Sequence, residues 1–255
     1  MDQHITRRRF LGWSLAGAAA AVSGVSLGGL DLAAAAGSAR FKARPGKPSK
    51  SVKKRLHPLG LTQGKDGVLS VPRGYKPDTP VPLIVLLHGA GGRSGYYDKF
   101  FDMAIEDGIA VMAPDSRGPT WDIILGGFGP DVAFLDRALA HTFERVAVDP
   151  RRIALAGFSD GASYALSVGL ANGDLFSRVL AFSPGFMKVP ERVGKPPVYV
   201  THGNRDEVLP VTNSRDRIVP QLKQWGHEVI YKEFDGGHTA PPERIRDAFR
   251  RLAGT

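Results

Sequence analysis

Gly157-Phe158-Ser159-Asp160-Gly161 sets a serine between two glycines. An apolar run, Ile153 to Ala156, precedes it, and apolar residues at helical spacing follow from Ala162 to Leu170. A G-x-S-x-G in that context is a sharp strand-to-helix turn that exposes the serine hydroxyl at a helix N-terminus. The chemistry it suits is attack on a carbonyl carbon. A hydroxyl is a weak nucleophile alone, so it needs a base and donors for the resulting oxyanion. Histidine is the natural base, because its proton equilibrium lies near neutral pH. Among His88, His141, His202, His227 and His238, the last sits in a flexible glycine turn, Asp235-Gly-Gly-His-Thr239. His238 is therefore the expected base. His88 and His202 each precede a glycine and read as residues that orient loops. The base needs a carboxylate to fix its tautomer. Asp206 is the expected acid, with the adjacent Glu207 as the alternative. The amides of Asp160 and of Ala90, in His88-Gly-Ala-Gly-Gly92, are expected to hold the oxyanion. Asp160 itself reads as a structural residue favoured by the helix dipole, its carboxylate turned away or neutralised by an Arg or Lys.

These residues need elements to position them. Val81 to Leu87 is a continuous apolar run, as in a strand buried on both faces. Further strands are expected over Asp66–Pro72, Ile109–Pro114, Arg178–Phe182, Pro197–His202 and Glu228–Phe234. Helices are expected over Phe100–Asp107, Val132–Ala147, Thr212–Trp225 and Pro241–Leu252. Strands and helices alternate, so the reading is an α/β fold: a mostly parallel sheet with helices on both faces. His88, Ser159, Asp206 and His238 each follow a strand, at the carboxyl edge where such sheets bind ligands.

The N-terminal residues read differently. Residues 1–36 carry Thr6-Arg-Arg-Arg-Phe10, an uncharged Ala- and Gly-rich stretch from Leu11 to Leu30, and Ala34-Ala-Ala36. This resembles a twin-arginine export signal with a small-residue cleavage site, which places the protein in the periplasm or outside the cell. Residues 37–65 hold nine Lys or Arg, no Asp or Glu, and three prolines. They read as a flexible basic arm, a solvated spacer or a weak contact to anionic surfaces. The formal charge of +9 belongs mainly to that arm, and residues 66–255, the expected catalytic domain, are nearly neutral. The charge therefore gives no warrant for nucleic-acid binding. With no cysteine, no disulfide framework is possible. No metal-ligand motif is evident, and no cofactor is expected.

Several motifs together resemble one superfamily: Leu87-His88-Gly89, Asp149-Pro-Arg-Arg-Ile153, the Ser159 elbow, His202-Gly203 with Asp206, and Gly237-His238. Over about residues 67–252 the chain resembles the α/β-hydrolases. Within them it is similar to secreted esterases grouped with poly(3-hydroxybutyrate) depolymerases, feruloyl esterases and small phospholipase/carboxylesterases. The order Ser159, Asp206, His238 is the one that fold uses. The resemblance implies an α/β-hydrolase fold and hydrolysis of a small-molecule or polymeric ester. A peptidase or acyltransferase on the same triad, and a non-catalytic surface-binding shell, are the alternatives. Trp121, Ile123, Phe128 and Phe186 are expected either to line an apolar substrate pocket or to pack in the core.

Overall fold

A computed structural model describes residues 38–52 and 55–254. The export signal expected over residues 1–36 lies outside the described residues. Eight strands form one sheet: β1 (Leu56–Pro58), β2 (Gly67–Ser70), β3 (Val81–Leu87), β4 (Ala110–Pro114), β5 (Val148–Phe158), β6 (Arg178–Phe182), β7 (Val198–Gly203) and β8 (Val229–Phe234). Their spatial order is β1-β2-β4-β3-β5-β6-β7-β8. The first two strands run antiparallel, and β4, β3 and β5 to β8 are mutually parallel.

The core explains why β3 reads as unbroken apolar sequence. Leu83, Val85 and Leu87 face one layer, with Val132, Leu135 and Leu139 of α2 (Pro130–Phe143). Ile84 and Leu86 face the other, with Phe100 and Phe101 of α1 (Asp98–Glu106) and Phe249 and Leu252 of α5 (Pro242–Ala253). Alternation along a strand buried on both sides makes every position apolar. Next to β3 in the sheet, β5 leads into α3 (Asp160–Ala171). These central elements set the nucleophile's position.

The helix expected over residues 212–225 differs from expectation. It is a wide π-type turn over Asn213–Ile218, followed by α4 (Val219–Gln224). Pro220 has no N–H to donate and its ring crowds the preceding turn, so the regular ladder breaks there.

The flexible-arm reading of residues 37–65 is corrected over the described part. Ala39 and Phe41 are buried within the main core. Asn172 clasps the chain at this point: its side-chain oxygen accepts the Phe41 N–H at 2.7 Å, and its amide donates to the Ala39 carbonyl at 2.7 Å. The Asp136 carboxylate accepts the N–H groups of Lys42 and Ala43. Arg40 and Arg44 both pair with Asp174, and Lys50 with Glu144. Farther on, β1 adds to the sheet edge and Leu59 is buried. The domain thus begins ahead of residue 66. The segment has no periodicity because distant side chains satisfy its backbone. Phe41→Ala is expected to cost about 3 kcal/mol, since a buried ring packed edge-on against Phe176 is lost. Thermal denaturation of the variant checks this; an unchanged Tm restores the spacer reading.

Candidate active site

Ser159 sits between β5 and α3 with φ 58° and ψ −122°. A side chain in that region is strained, and such strain needs support on all sides. The two glycines supply the room. A Cβ on Gly157 would lie 2.2 Å from the Gly161 carbonyl oxygen, and one on Gly161 would lie 2.3 Å from that of Leu87. The elbow is thus clamped between its own helix and the end of β3.

The Ser159 hydroxyl lies 2.8 Å from His238 Nε2. His238 Nδ1 lies 2.7 Å from Asp206 Oδ2. An ionised Asp206 accepts the Nδ1 proton, which leaves Nε2 free to accept from the serine. The other carboxylate oxygen, Oδ1, accepts the Val208 and Leu209 N–H groups at 2.9 and 2.8 Å. Burial opposes ionisation of Asp206, yet the His238 and two amide donors outweigh it and hold the carboxyl below its usual range. Glu207, the alternative acid, is exposed. The Phe158 ring packs 4.8 Å from the His238 ring and limits its swing.

The loop after β3 faces this triplet. Gly89 to Gly92, Phe158, Ser159, Val208 and His238 line an open cleft of about 390 Å³. The Gly91 N–H is taken by the Pro119 carbonyl and the Gly92 N–H by that of Gly89. The Ala90 and Asp160 amides make no hydrogen bond among the described residues. Asp160, first in α3, belongs to the turn whose amides have no helical acceptor. Its carboxylate accepts the Thr120 hydroxyl at 2.7 Å. A neutral hydroxyl thus holds it, in place of the Lys or Arg that was one of the two expectations.

His88 shapes the loop from beneath. It is buried, and its Nε2 accepts the Ser116 N–H at 2.9 Å. The ring proton is therefore on Nδ1, which donates to the Gly89 carbonyl at 2.7 Å. Burial pushes its pKa down and keeps it neutral. The His88 carbonyl accepts the Trp121 indole N–H at 2.8 Å.

That bond explains a correction. Trp121 is fully buried and stacks on Tyr164, while Ile123 and Phe128 are buried in the same layer. These three support the elbow from within the core and do not line the cleft. Phe186 is 37% exposed and lines a neighbouring groove of about 330 Å³ with Met187 and Trp225. Two serines on α3 hold that wall, a feature the sequence reading missed. Ser163 Oγ accepts the Gly185 N–H, and Ser167 Oγ accepts the Lys188 N–H. Their spacing of four residues on one helix face was the available signal.

Known proteins are similar to this chain in sequence and fold. A Phospholipase/Carboxylesterase family model matches residues 133–253. Feruloyl esterase C of Emericella nidulans is 25% identical over 215 residues, covering 70% of this chain and 78% of its own. The crystal structure of esterase PE8 superposes with a TM-score of 0.59 at 25% identity, over 73% of this chain and 98% of that one. The fold is that of the α/β-hydrolases, and these likenesses support a carboxylesterase-type hydrolase. The hydrolase fold is also shared with FphF, a fluorophosphonate-binding serine hydrolase of Staphylococcus aureus. There the TM-score is 0.60 at 14% identity, over 81% of this chain and 99% of that one. Among the described residues of the hydrolase, no group of three His, Asp or Glu side chains is arranged to hold a metal ion.

Proposed function

We propose that this hydrolase is an exported serine esterase that works through an acyl-enzyme on Ser159. The observation that carries the proposal is the continuous chain from Ser159 Oγ through His238 to Asp206, with contacts of 2.8 and 2.7 Å, opening on a cleft. Ser159 attacks the ester carbonyl as His238 Nε2 takes its proton. The Ala90 and Asp160 amides receive the developing oxyanion; each such donor contributes about 3 kcal/mol in related chemistry. His238 then protonates the leaving alcohol. Water, activated by the same imidazole, releases the acid and restores Ser159. Export rests on the twin-arginine pattern of residues 1–36.

The substrate's apolar arm follows from surface chemistry. Val208, 65% exposed, lines the cleft. The next residue, Leu209, meets Gly185 beside the Phe186 groove, so an apolar path leaves the site there. Each methylene buried along it is worth about 0.8 kcal/mol. Phe186→Ala is expected to lower kcat/KM for p-nitrophenyl octanoate roughly tenfold and for the acetate less than roughly twofold. Equal loss on both esters removes the groove from the reading. Turnover of peptide anilides in preference to these esters would replace the esterase assignment with a peptidase.

A pH profile adds a second check. Asp206 is held below its ordinary range, so it stays ionised at mildly acidic pH. On acidification, the acid limb of log kcat/KM is expected to reach unit slope, one proton being added to the base. A slope of two would mean that the carboxylate titrates in the same window.

A further inference from the structure

Asp206 has a second histidine partner. His202, at the end of β7, is fully buried. Its Nε2 lies 2.8 Å from the Leu209 carbonyl oxygen and 3.2 Å from Asp206 Oδ2, the same oxygen that His238 contacts. Its Nδ1 lies 2.7 Å from the Ser214 hydroxyl. A carbonyl and an ionised carboxylate only accept, so the His202 proton resides on Nε2. Nδ1 then accepts from Ser214, whose hydroxyl rotates to suit. The His202 N–H is shared between the Leu209 carbonyl and Oδ2. Asp206 consequently receives four N–H groups, two on each oxygen.

We propose that His202 is a positioning residue that tunes the Asp206–His238 pair through the oxygen both imidazoles share. Resting on the serine-esterase reading above, this assigns a role to a residue outside the triad. The physical argument is competition. Each N–H directed at a carboxylate oxygen disperses its charge and weakens its pull on another donor. Without His202, Asp206 would hold a protonated His238 more tightly, and the imidazole would remain protonated to higher pH. Less free base would then be present at mildly acidic pH. The same N–H ties Leu209 back across the loop that carries Asp206 and the cleft residue Val208. This role requires His202 to stay neutral, because a second cation on Oδ2 would oppose the first. Burial supplies that, lowering its pKa. The charged group facing it from β8 is Glu233, its register partner, which is paired to Arg215 at 2.7 Å and also accepts the Tyr231 hydroxyl. The remaining titratable neighbours are Asp206 and His238 themselves.

The test uses the full chain and three variants. His202→Gln keeps a donor near the Nε2 position, His202→Asn keeps a polar group only near Nδ1, and His202→Leu removes both. The pH profile of kcat/KM for p-nitrophenyl butyrate is measured per site labelled by a fluorophosphonate, so misfolded protein does not count. For His202→Leu and His202→Asn, the acid limb is expected to move up by about half a pH unit, which is roughly threefold in rate below the midpoint. KM should change little, and His202→Gln should restore the wild-type limb. If His202→Leu does not fold, the Gln and Asn variants decide. Limbs that coincide with wild type in every folded variant, or a Gln variant that shifts as far as Asn, would overturn the proposal and leave His202 a packing residue. Failure of the serine-esterase reading is seen separately, as wild-type protein that takes no label on Ser159.

Discussion

Ser159→Ala is expected to lower ester turnover at least about 10⁴-fold while leaving the fold intact. The lost atom is the one that His238 Nε2 faces at 2.8 Å. Alanine fits the elbow, since serine already places a Cβ there at φ 58°. Near-UV circular dichroism and Tm should match wild type, because the hydroxyl's side-chain partner among the described residues is the His238 imidazole. The loss should not grow much when His238→Ala is added. Residues that act as one unit are strongly non-additive, and either change alone removes the activated nucleophile. In the proposed mechanism, what rate remains comes from the Ala90 and Asp160 amides. Independent, multiplying losses from the two changes would mean that Ser159 and His238 do not act in one step.

Gly161→Ala and Gly157→Ala are expected to be strongly destabilising single-methyl additions. The new methyl on Gly161 would meet the Leu87 carbonyl oxygen at 2.3 Å and that of His88 at 2.5 Å. On Gly157 it would meet the Gly161 oxygen and carbon at 2.2 and 2.3 Å. Each clash is with backbone, so no rotamer change relieves it. Relief requires moving β3, or the N-terminus of α3, inside a close-packed core. A cost above about 4 kcal/mol follows, seen as a Tm lowered by roughly 10 °C or as no soluble protein. Gly46→Ala is the control: nothing lies within 4 Å of its added Cβ, and its φ is not in the left-handed range. Its Tm should stay near wild type. An elbow variant as stable as this control would mean that the backbone there is not held as described.

The site was more legible in the sequence than its surroundings. Ser159, Asp206 and His238 each follow a strand, and alternating strands and helices bring such ends to one sheet edge. Order and spacing therefore sufficed to nominate them. The aromatic residues did not separate so easily. Trp121 and Phe186 both sit in loops, and nothing local says that one indole N–H is taken by the His88 carbonyl while the other ring is left exposed. Residues 38–52 misled for a related reason. Their charges suggested a solvated arm, but Asp174 and Glu144 pair with those charges, and Asp136 and Asn172 hold the backbone, all distant in sequence. Periodicity reports an element's own faces. It is silent on backbone segments whose partners are side chains more than ninety residues away. The double contact on Asp206 was hidden likewise, because His202 lies at the end of β7 and Asp206 in the loop after it, while Ser214 and Leu209 fix the ring.

The most direct measurement is covalent trapping. The purified protein would be treated with a fluorophosphonate and digested, and the adduct located by mass spectrometry. One stoichiometric adduct on the peptide carrying Ser159, absent from folded Ser159→Ala and suppressed in His238→Ala, is the expected result. A folded wild-type protein that takes no adduct, or an adduct that persists in Ser159→Ala, would contradict the account of Ser159 as the activated nucleophile.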